Sequence, residues 1–205
     1  MTRCKWCNLK NPKYVEYHDN EWGKTNFNDK YLFEMLILES FQAGLSWECV
    51  LNKREDFRKA FDNFDLEKIC NYNDEKVQEL LKNEKIIRNK LKVNATINNS
   101  KIFKKIQNEY GTFYNYLKTF TNDVIIYEIG KATNQLSDDL SKDLQKRGMK
   151  FVGSTIIYSY LQAIGVIYSH DKECSLCIKK YNNYWNRYKV KCFLIYSFIT
   201  LILDF

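Results

Sequence analysis

The sequence predicts an all-α protein. Apolar residues recur mainly at helical spacing, and Ser, Asn, Asp and Thr stand where helices would begin. One Pro and seven Gly in 205 residues are too few for an all-β sandwich built on many tight turns. A hydrophobic fraction of 45% with 28% charged residues is typical of a folded globular chain of this length.

The predicted helices follow one another along the chain. Asn28 caps a helix that runs to Ala43 and stops at Gly44, with an apolar face made of Leu32, Phe33, Leu36, Ile37 and Phe41. Ser46 caps a single second helix that carries Trp47, Val50, Leu51, Arg54, Phe57 and Phe61. Further helices begin near Asp65, Asn73, Thr112, Ser137 and Ser154, the last of them running to about Tyr168. The helical period also continues from Leu91 until Gly111. Between residues 121 and 136 no period is clear.

The end of the chain differs in character. Residues 179–191 are basic and aromatic, and residues 192–205 are apolar but shorter than the ~20 residues that span a bilayer. We expect one unit over residues 1–180 and a tail over residues 181–205. A tail packed on the body is favoured over a membrane-facing or partner-binding one.

The composition also bears on the cellular compartment of the protein and on the kind of partner it could bind. No signal peptide is visible at the start, so the seven Cys predict reduced cytoplasmic thiols or metal ligands rather than a disulfide framework. A net charge of +7 permits a polyanionic partner without demonstrating one. No phosphate-binding glycine loop is present, and we therefore expect no nucleotide or redox cofactor.

Cysteines and histidines near both ends of the chain predict a zinc site. The only two histidines are His18 and His170, and Cys4 and Cys174 lie close to them in sequence. Thiolate and imidazole are the ligands that zinc prefers, so two Cys and two His suit it. The pairs Cys4/Cys7 and Cys174/Cys177 have CxxC spacing and could form a four-cysteine shell instead. The spacing leaves both shells open, beside buried cysteines without a metal.

Aromatic residues and one acid suggest a binding pocket. Glu39 lies a few residues before Gly44 and Trp47 soon after it, and Trp6, Tyr14, Tyr17 and Trp22 come earlier in the chain. Ring faces and a carboxylate together suit a planar, cationic ligand, through stacking, cation–π attraction and hydrogen bonds. The alternative is that the rings are core residues and Glu39 is exposed on its helix.

Four motifs carry a family resemblance. They are YHDNEWG at residues 17–23, QAGLSW at 42–47, IIRN at 86–89 and KRGMKFVG at 146–153. Together they resemble the bacterial type I DNA-3-methyladenine glycosylases, in order, from residue 3 to about residue 174. Ser169 departs from the family, which commonly has an acidic residue before the second zinc histidine.

The resemblance implies a fold and a site. The fold would be that of the helix-hairpin-helix glycosylases, all-α enzymes that flip a damaged nucleotide out of the duplex. The structural zinc would be bound by Cys4, His18, His170 and Cys174. Tyr17 and Glu39 would contact the base, Trp47 would stack on it, and Trp6, Tyr14 and Trp22 would line the same pocket. The hairpin would bind DNA phosphate through Gly148, Lys150, Gly153 and Ser154, with Lys146 and Arg147 adding charge.

The implied activity is release of 3-methyladenine from double-stranded DNA without strand cleavage, by a monomer and with no membrane involved. Methylation at N3 makes the base cationic while attached, so the leaving group needs little protonation. With both histidines bound to zinc, neither would be left for acid–base chemistry. A non-catalytic, zinc-stabilised DNA-binding module is the second hypothesis. An inactive paralogue kept for interactions through its tail is the third.

Overall fold

The computed structural model describes residues 1–177. The predictions for the tail over residues 181–205 therefore lie outside the described residues. The described part is predominantly helical, as predicted, and it forms two compact units. One is Trp6–Ser169; the other is Met1–Lys5 with the described residues from His170 onward. The single unit expected over residues 1–180 stays a prediction.

The unit Trp6–Ser169 contains ten helices and two short strands among its described residues. They are α1 (Pro12–Asn20), α2 (Asp29–Gln42), α3 (Trp47–Asn52), α4 (Arg54–Ala60), a 3₁₀ turn (Asp62–Phe64), α5 (Leu66–Cys70), α6 (Asp74–Lys82), α7 (Lys90–Tyr110), α8 (Phe113–Thr121), β1 (Ile126–Tyr127), α9 (Gln135–Lys146), α10 (Ser154–Ala163) and β2 (Ile167–Tyr168). Among these described helices, none has the length and apolar character needed to cross a bilayer.

Helix α2 is the centre of this unit. The Asn28 side chain accepts the N–H groups of Lys30 and Tyr31, which confirms the predicted cap. Every residue from Leu32 to Phe41 is buried, so the helix is covered on all sides rather than on one apolar face. Helices α3, α7, α8 and α10 pack against it. Glu34 and Glu39 are therefore drawn into the core.

Two predicted helices end earlier than expected. The helix capped by Ser46 breaks at Lys53 into α3 and α4, and the buried Arg54 begins the second piece. The helix from Ser154 ends at Ala163, because Gly165 turns the chain at a φ of +77°. A side chain there would meet the backbone carbonyl carbon of Lys24 at 2.5 Å, so only glycine fits.

The span without a clear period contains a strand. Ile126 and Tyr127 pair in parallel with Ile167 and Tyr168, in the stretch that was predicted to continue the last helix. The pairing joins segments about forty residues apart in the chain, which local periodicity does not reveal. The helix α1 was also not predicted; Asn11 caps it and Pro12 occupies its first turn.

Candidate active site

Glu39 is a buried acid near the end of α2. Its side chain belongs to a residue only 2% exposed, and Oε2 has no hydrogen-bond partner among the described residues. Burial raises the pKa of Glu39 to about 8, because an apolar environment disfavours the charged form. The alternative that Glu39 is an exposed helix residue is therefore wrong. A buried carboxyl without a partner is suited to receive a hydrogen-bond donor or a cation.

Tyr17 and Trp47 form a ring pair beside this acid. Their ring centroids are 5.2 Å apart at an interplanar angle of 46°. Trp47 is the first residue of α3, where the Ser46 side chain accepts the Cys49 N–H, and its own Nε1 has no partner among the described residues. Burial, and next the charge of Glu39, raise the pKa of Tyr17 well above its ordinary value. The phenol and the carboxyl therefore share one low-dielectric region.

A second group of rings surrounds Trp6. Its ring centroid lies 5.4 Å from that of Tyr14, 4.7 Å from that of Trp22 and 5.2 Å from that of His18. Burial raises the pKa of Tyr14 to about 12, with smaller contributions from Glu48, Cys7 and Glu39. The charge of Glu39 also contributes to the raised pKa of both Tyr14 and Tyr17. The described residues thus show two ring groups, Tyr17 with Trp47 and Trp6 with Tyr14 and Trp22, and a single pocket made of both stays a prediction.

The corner after Glu39, residues 42–46, is fixed by a lysine that sequence reasoning missed. Lys92 Nζ donates to the carbonyl oxygens of Phe41 at 2.7 Å and Ala43 at 2.6 Å. Lys92 is 6% exposed, and its ammonium lies 5.8 Å from the ring centroid of Phe151. A cation at the end of α2 satisfies carbonyls that have no helical partner.

A buried ion-pair network was also missed. Arg54 Nη1 donates to both oxygens of Glu21 at 2.8 and 2.7 Å, and its Nε donates to Glu34 at 2.6 Å. Tyr31 donates its hydroxyl to Glu21 at 3.0 Å. The backbone N–H groups of Glu21 and Trp22 both donate to the Tyr17 carbonyl. This network holds the end of α1 from which Tyr17 reaches Trp47.

The predicted hairpin, residues 148–153, joins α9 to α10. Gly148 has a φ of +99°, and Gly153 caps α10, whose first turn has no side-chain cap. Ser154 donates its hydroxyl to Asp138 and lies 2.9 Å from the Ser137 hydroxyl. Lys150 is exposed. Uncapped N–H groups at a helix start favour an anion.

Arg147 was predicted to add charge around the hairpin, but its guanidinium forms ion pairs with two acids instead. Its guanidinium donates to Asp143 and Glu109, each at 2.7 Å, and lies over the rings of Tyr116 and Tyr110. It thus braces α9 against α7 and α8. The positive charge of this residue is largely balanced by its two acidic partners.

Residues 1–5 and the segment from His170 onward bring together a Cys/His cluster that could hold a metal ion. Cys4 Sγ lies 3.3 Å and Cys174 Sγ 3.5 Å from Nδ1 of His170, and ligand atoms of these three residues lie within 4.8 Å of one another. Asp171 and Leu176 donate backbone N–H groups to the two sulfurs. Thr2 and Ser175 are joined by two hydrogen bonds in the same unit.

The fourth predicted zinc ligand is His18, and Cys7 and Cys177 are the cysteines that the resemblance leaves out of the shell. His18 is fully buried on α1, and its Nδ1 lies 2.8 Å from Asp19 Oδ1. Cys177 is buried but not part of the cluster, and Cys7 Sγ approaches the Tyr14 carbonyl oxygen at 3.8 Å. Within the unit that contains Cys4 and Cys174, Cys177 is therefore not brought into the cluster as a four-cysteine shell requires. Ser169 donates its hydroxyl to the Glu128 carbonyl.

Solved structures with a similar backbone define the class of protein. A crystal structure of 3-methyladenine DNA glycosylase I matches with a TM-score of 0.82 at 38% identity, covering 85% of this chain and 99% of that chain. A structure of a variant 3-methyladenine DNA glycosylase I in complex with 3-methyladenine gives a TM-score of 0.81 at 31% identity, covering 85% and 97%. The described residues thus have an all-α glycosylase fold.

The sequence comparisons then give the family. Residues 6–178 match the model of the methyladenine glycosylase family. DNA-3-methyladenine glycosylase 1 of Escherichia coli (strain K12) is 41% identical over 181 residues, which cover 85% of this chain and 96% of that protein. DNA-3-methyladenine glycosylase of Haemophilus influenzae is 36% identical over 179 residues, covering 84% and 96%. The chain belongs to the methyladenine glycosylase family, which confirms the resemblance.

Proposed function

We propose that this protein removes 3-methyladenine from double-stranded DNA by hydrolysing its N-glycosidic bond, which leaves an abasic site. The observation that carries the proposal is the buried Glu39 carboxyl, whose Oε2 has no hydrogen-bond partner among the described residues, beside the Tyr17–Trp47 ring pair. The relatives above bear the name of this activity, and one was solved with 3-methyladenine. A monomer acting in the cytoplasm stays a prediction.

The chemistry needs one acid rather than two. 3-Methyladenine carries a formal positive charge while it is attached to deoxyribose and leaves as a neutral base, so no general acid has to protonate it strongly. The paired carboxylates of ordinary glycoside hydrolysis are therefore not required. The tasks that remain are extrusion of the nucleotide, recognition of the base, and stabilisation of the positive charge on the sugar as water attacks.

Each pocket residue then has a role. Glu39 accepts hydrogen bonds from the adenine edge, and the cationic lesion favours its ionised form, because an opposite charge lowers the pKa of a buried carboxyl. Tyr17 holds the base through its hydroxyl, and Trp47 supplies the stacking face. Trp6, Tyr14 and Trp22 line the pocket. A base that offers no donor to Glu39 leaves a buried acid unpaired and is discriminated against.

The hairpin is proposed to hold the duplex by its backbone. Gly148 and Gly153 allow close approach, the first turn of α10 at Ser154 offers uncapped N–H groups, and Lys150 adds a positive charge. Contacts of this kind position DNA without reading its sequence, which a lesion-searching enzyme requires. Nucleotide flipping by a helix-hairpin-helix arrangement follows from the same proposal.

We also propose a structural zinc ion bound by Cys4, His18, His170 and Cys174. The donor set fits, since two buried thiols and two buried imidazoles are a preferred zinc shell. A tetrahedral zinc holds sulfur and nitrogen ligands about 3.5 Å apart, which agrees with both sulfur-to-nitrogen distances at His170. Asp19 would orient His18 so that its other nitrogen faces the metal. The ion would stabilise the fold and take no part in catalysis.

One experiment separates the enzyme from a DNA-binding module. The full chain is incubated with methylated duplex DNA, and the supernatant is analysed by chromatography for free 3-methyladenine. We expect release by the wild type and severe loss in Glu39→Gln, with Glu75→Gln, an exposed position on α6, as the matched control. No release by the wild type would leave the non-catalytic module as the better description.

A further inference from the structure

The hairpin is held from behind by the amide side chain of Asn99. Asn99 lies on α7 and is fully buried. Its Oδ1 accepts the backbone N–H of Lys150 at 2.8 Å, and its Nδ2 donates to the Lys150 carbonyl at 2.8 Å. One side chain therefore satisfies both backbone polar groups of the residue at the middle of the hairpin, while the Lys150 ammonium is left to reach solvent.

A neighbouring residue and a strained backbone make this contact specific. Asn98, exposed on the same helix, donates to the Gly148 carbonyl at 2.9 Å. Phe151, next after Lys150, has a φ of +56°, which a bulky residue adopts only where its surroundings determine it. The two hydrogen bonds of Asn99 supply that determination at the adjacent residue. Neither Asn98 nor Asn99 was singled out from the sequence.

We propose that Asn99 is a positioning residue for duplex binding: through the Lys150 peptide groups it presets the hairpin in the conformation that receives the DNA backbone. The inference rests on the proposed function, because it takes the hairpin as the phosphate-binding element. A preset hairpin loses little conformational freedom when DNA binds, so the hydrogen bonds of Asn99 act on duplex affinity. Asn99 itself contacts neither the base nor the reacting atoms.

The decisive variant is Asn99→Asp. The aspartate side chain has nearly the same shape as asparagine and still offers an oxygen that accepts the Lys150 N–H. Its second oxygen, however, cannot donate to the Lys150 carbonyl and repels it. Asn94→Asp is the matched control, since Asn94 is exposed on the same helix and the change in net charge is identical. Three quantities are measured: the Kd for undamaged duplex, the Kd for free 3-methyladenine, and the single-turnover excision rate at saturating methylated duplex.

We expect Asn99→Asp to bind undamaged duplex about tenfold more weakly than Asn94→Asp, with the free-base Kd and the saturated excision rate within about twofold of the control. Equal duplex affinity in the two variants overturns the proposal. So does a parallel loss of free-base binding, because Asn99 would then support the whole fold. Failure of the wild type to release base refutes the proposed function instead and leaves the duplex comparison interpretable.

A second variant decides the matter if Asn99→Asp does not fold. Asn98→Ala removes the hydrogen bond to the Gly148 carbonyl and the one that Asn98 donates to Asn99 Oδ1 at 3.3 Å. Because Asn98 is exposed, the core is left intact. We expect duplex binding about threefold weaker than in the wild type, with free-base binding unchanged. Duplex affinity equal to that of the wild type would mean that α7 does not preset the hairpin.

Discussion

The ammonium nitrogen of Lys92 lies 2.6 Å from the carbonyl oxygen of Ala43, at the corner that separates Glu39 from Trp47. The same nitrogen bonds the Phe41 carbonyl and faces the ring of Phe151 in the hairpin. Burial lowers the pKa of Lys92, but the two carbonyls favour its charged form. One cation on α7 therefore sets the relative position of the proposed acid and the proposed stacking ring.

Replacing this lysine should weaken both the fold and the pocket. Lys92→Met keeps the stem but leaves two carbonyls at the end of α2 without their donor, so the free energy of unfolding should fall by about 2 kcal/mol. Binding of free 3-methyladenine should weaken about fivefold, because the Glu39–Trp47 spacing is no longer fixed. Urea denaturation and base titration measure these effects. Lys101→Met, exposed on the same helix, is the control, and equal results for the two variants would contradict the role.

The buried acid should make stability depend on pH. The pKa of Glu39 is about 8 in the folded protein against 4.5 as its ordinary value, so between these values the folded state binds more protons than the unfolded one. Stability is therefore lost as the pH rises from about 4.5 to 8, by on the order of 4 kcal/mol from this group. Glu39→Gln has no proton to lose. Its stability should exceed that of the wild type increasingly towards pH 8.

The measurement is chemical denaturation at pH 5, 6.5 and 8 for the wild type, Glu39→Gln and Glu75→Gln. Because Glu75 is exposed on α6, its variant should follow the wild-type pH profile. The same Glu39→Gln preparation should have lost most of its excision activity. A variant both more stable and less active would show that the acid is held for binding rather than for folding. A constant stability difference from pH 5 to 8 would argue against a raised pKa.

Local signals predicted much of the fold because caps act over three or four residues. Asn28, Asp65, Asn73 and Thr112 each accept the backbone N–H groups of their own first turn, as expected. The pairing of Ile126 with Ile167 was not predictable in the same way, because it depends on chain segments that meet only in the folded state. The early end of α10 had a visible signal in Gly165, which the surrounding apolar run concealed.

The site shows the same division between local and distant information. Glu39 and Trp47 stood out by residue type around a glycine corner. Lys92 and Asn99 look like ordinary polar residues of a helix, and their backbone partners are 49 or 51 residues away in sequence. Arg54 was expected on the helix that Ser46 caps, but its partners Glu21 and Glu34 were not foreseen. Positioning residues are therefore harder to find than the groups they position.

An acid beside the proposed phosphate site, Asp138, should oppose DNA binding. Asp138 accepts the hydroxyl of Ser154 at the start of α10, so its negative charge lies where a phosphate would approach. Asp138→Asn retains an acceptor for Ser154 and should bind undamaged duplex about threefold more tightly at low salt, with a smaller gain at high salt. Fluorescence anisotropy at two salt concentrations tests this. The control is Asp139→Asn, because Asp139 is the next residue, is half exposed and changes the net charge equally. This variant should gain less affinity for duplex. An equal gain in affinity would show that only the net charge matters.

Metal content distinguishes the two possible zinc shells. In the shell proposed here, Cys4→Ala and Cys174→Ala each remove a ligand, and elemental analysis should find well under one zinc per chain. Cys7→Ala and Cys177→Ala serve as matched controls, because both cysteines are buried but neither belongs to the Cys/His cluster. Both control variants should retain one zinc per chain. Loss of the metal should lower the melting temperature of the first pair, since binding free energy at such sites is folding free energy. Equal zinc loss in all four variants would favour the four-cysteine shell. A wild type purified without zinc or any other bound metal would refute the metal proposal, but it would not affect the proposed pocket around Glu39.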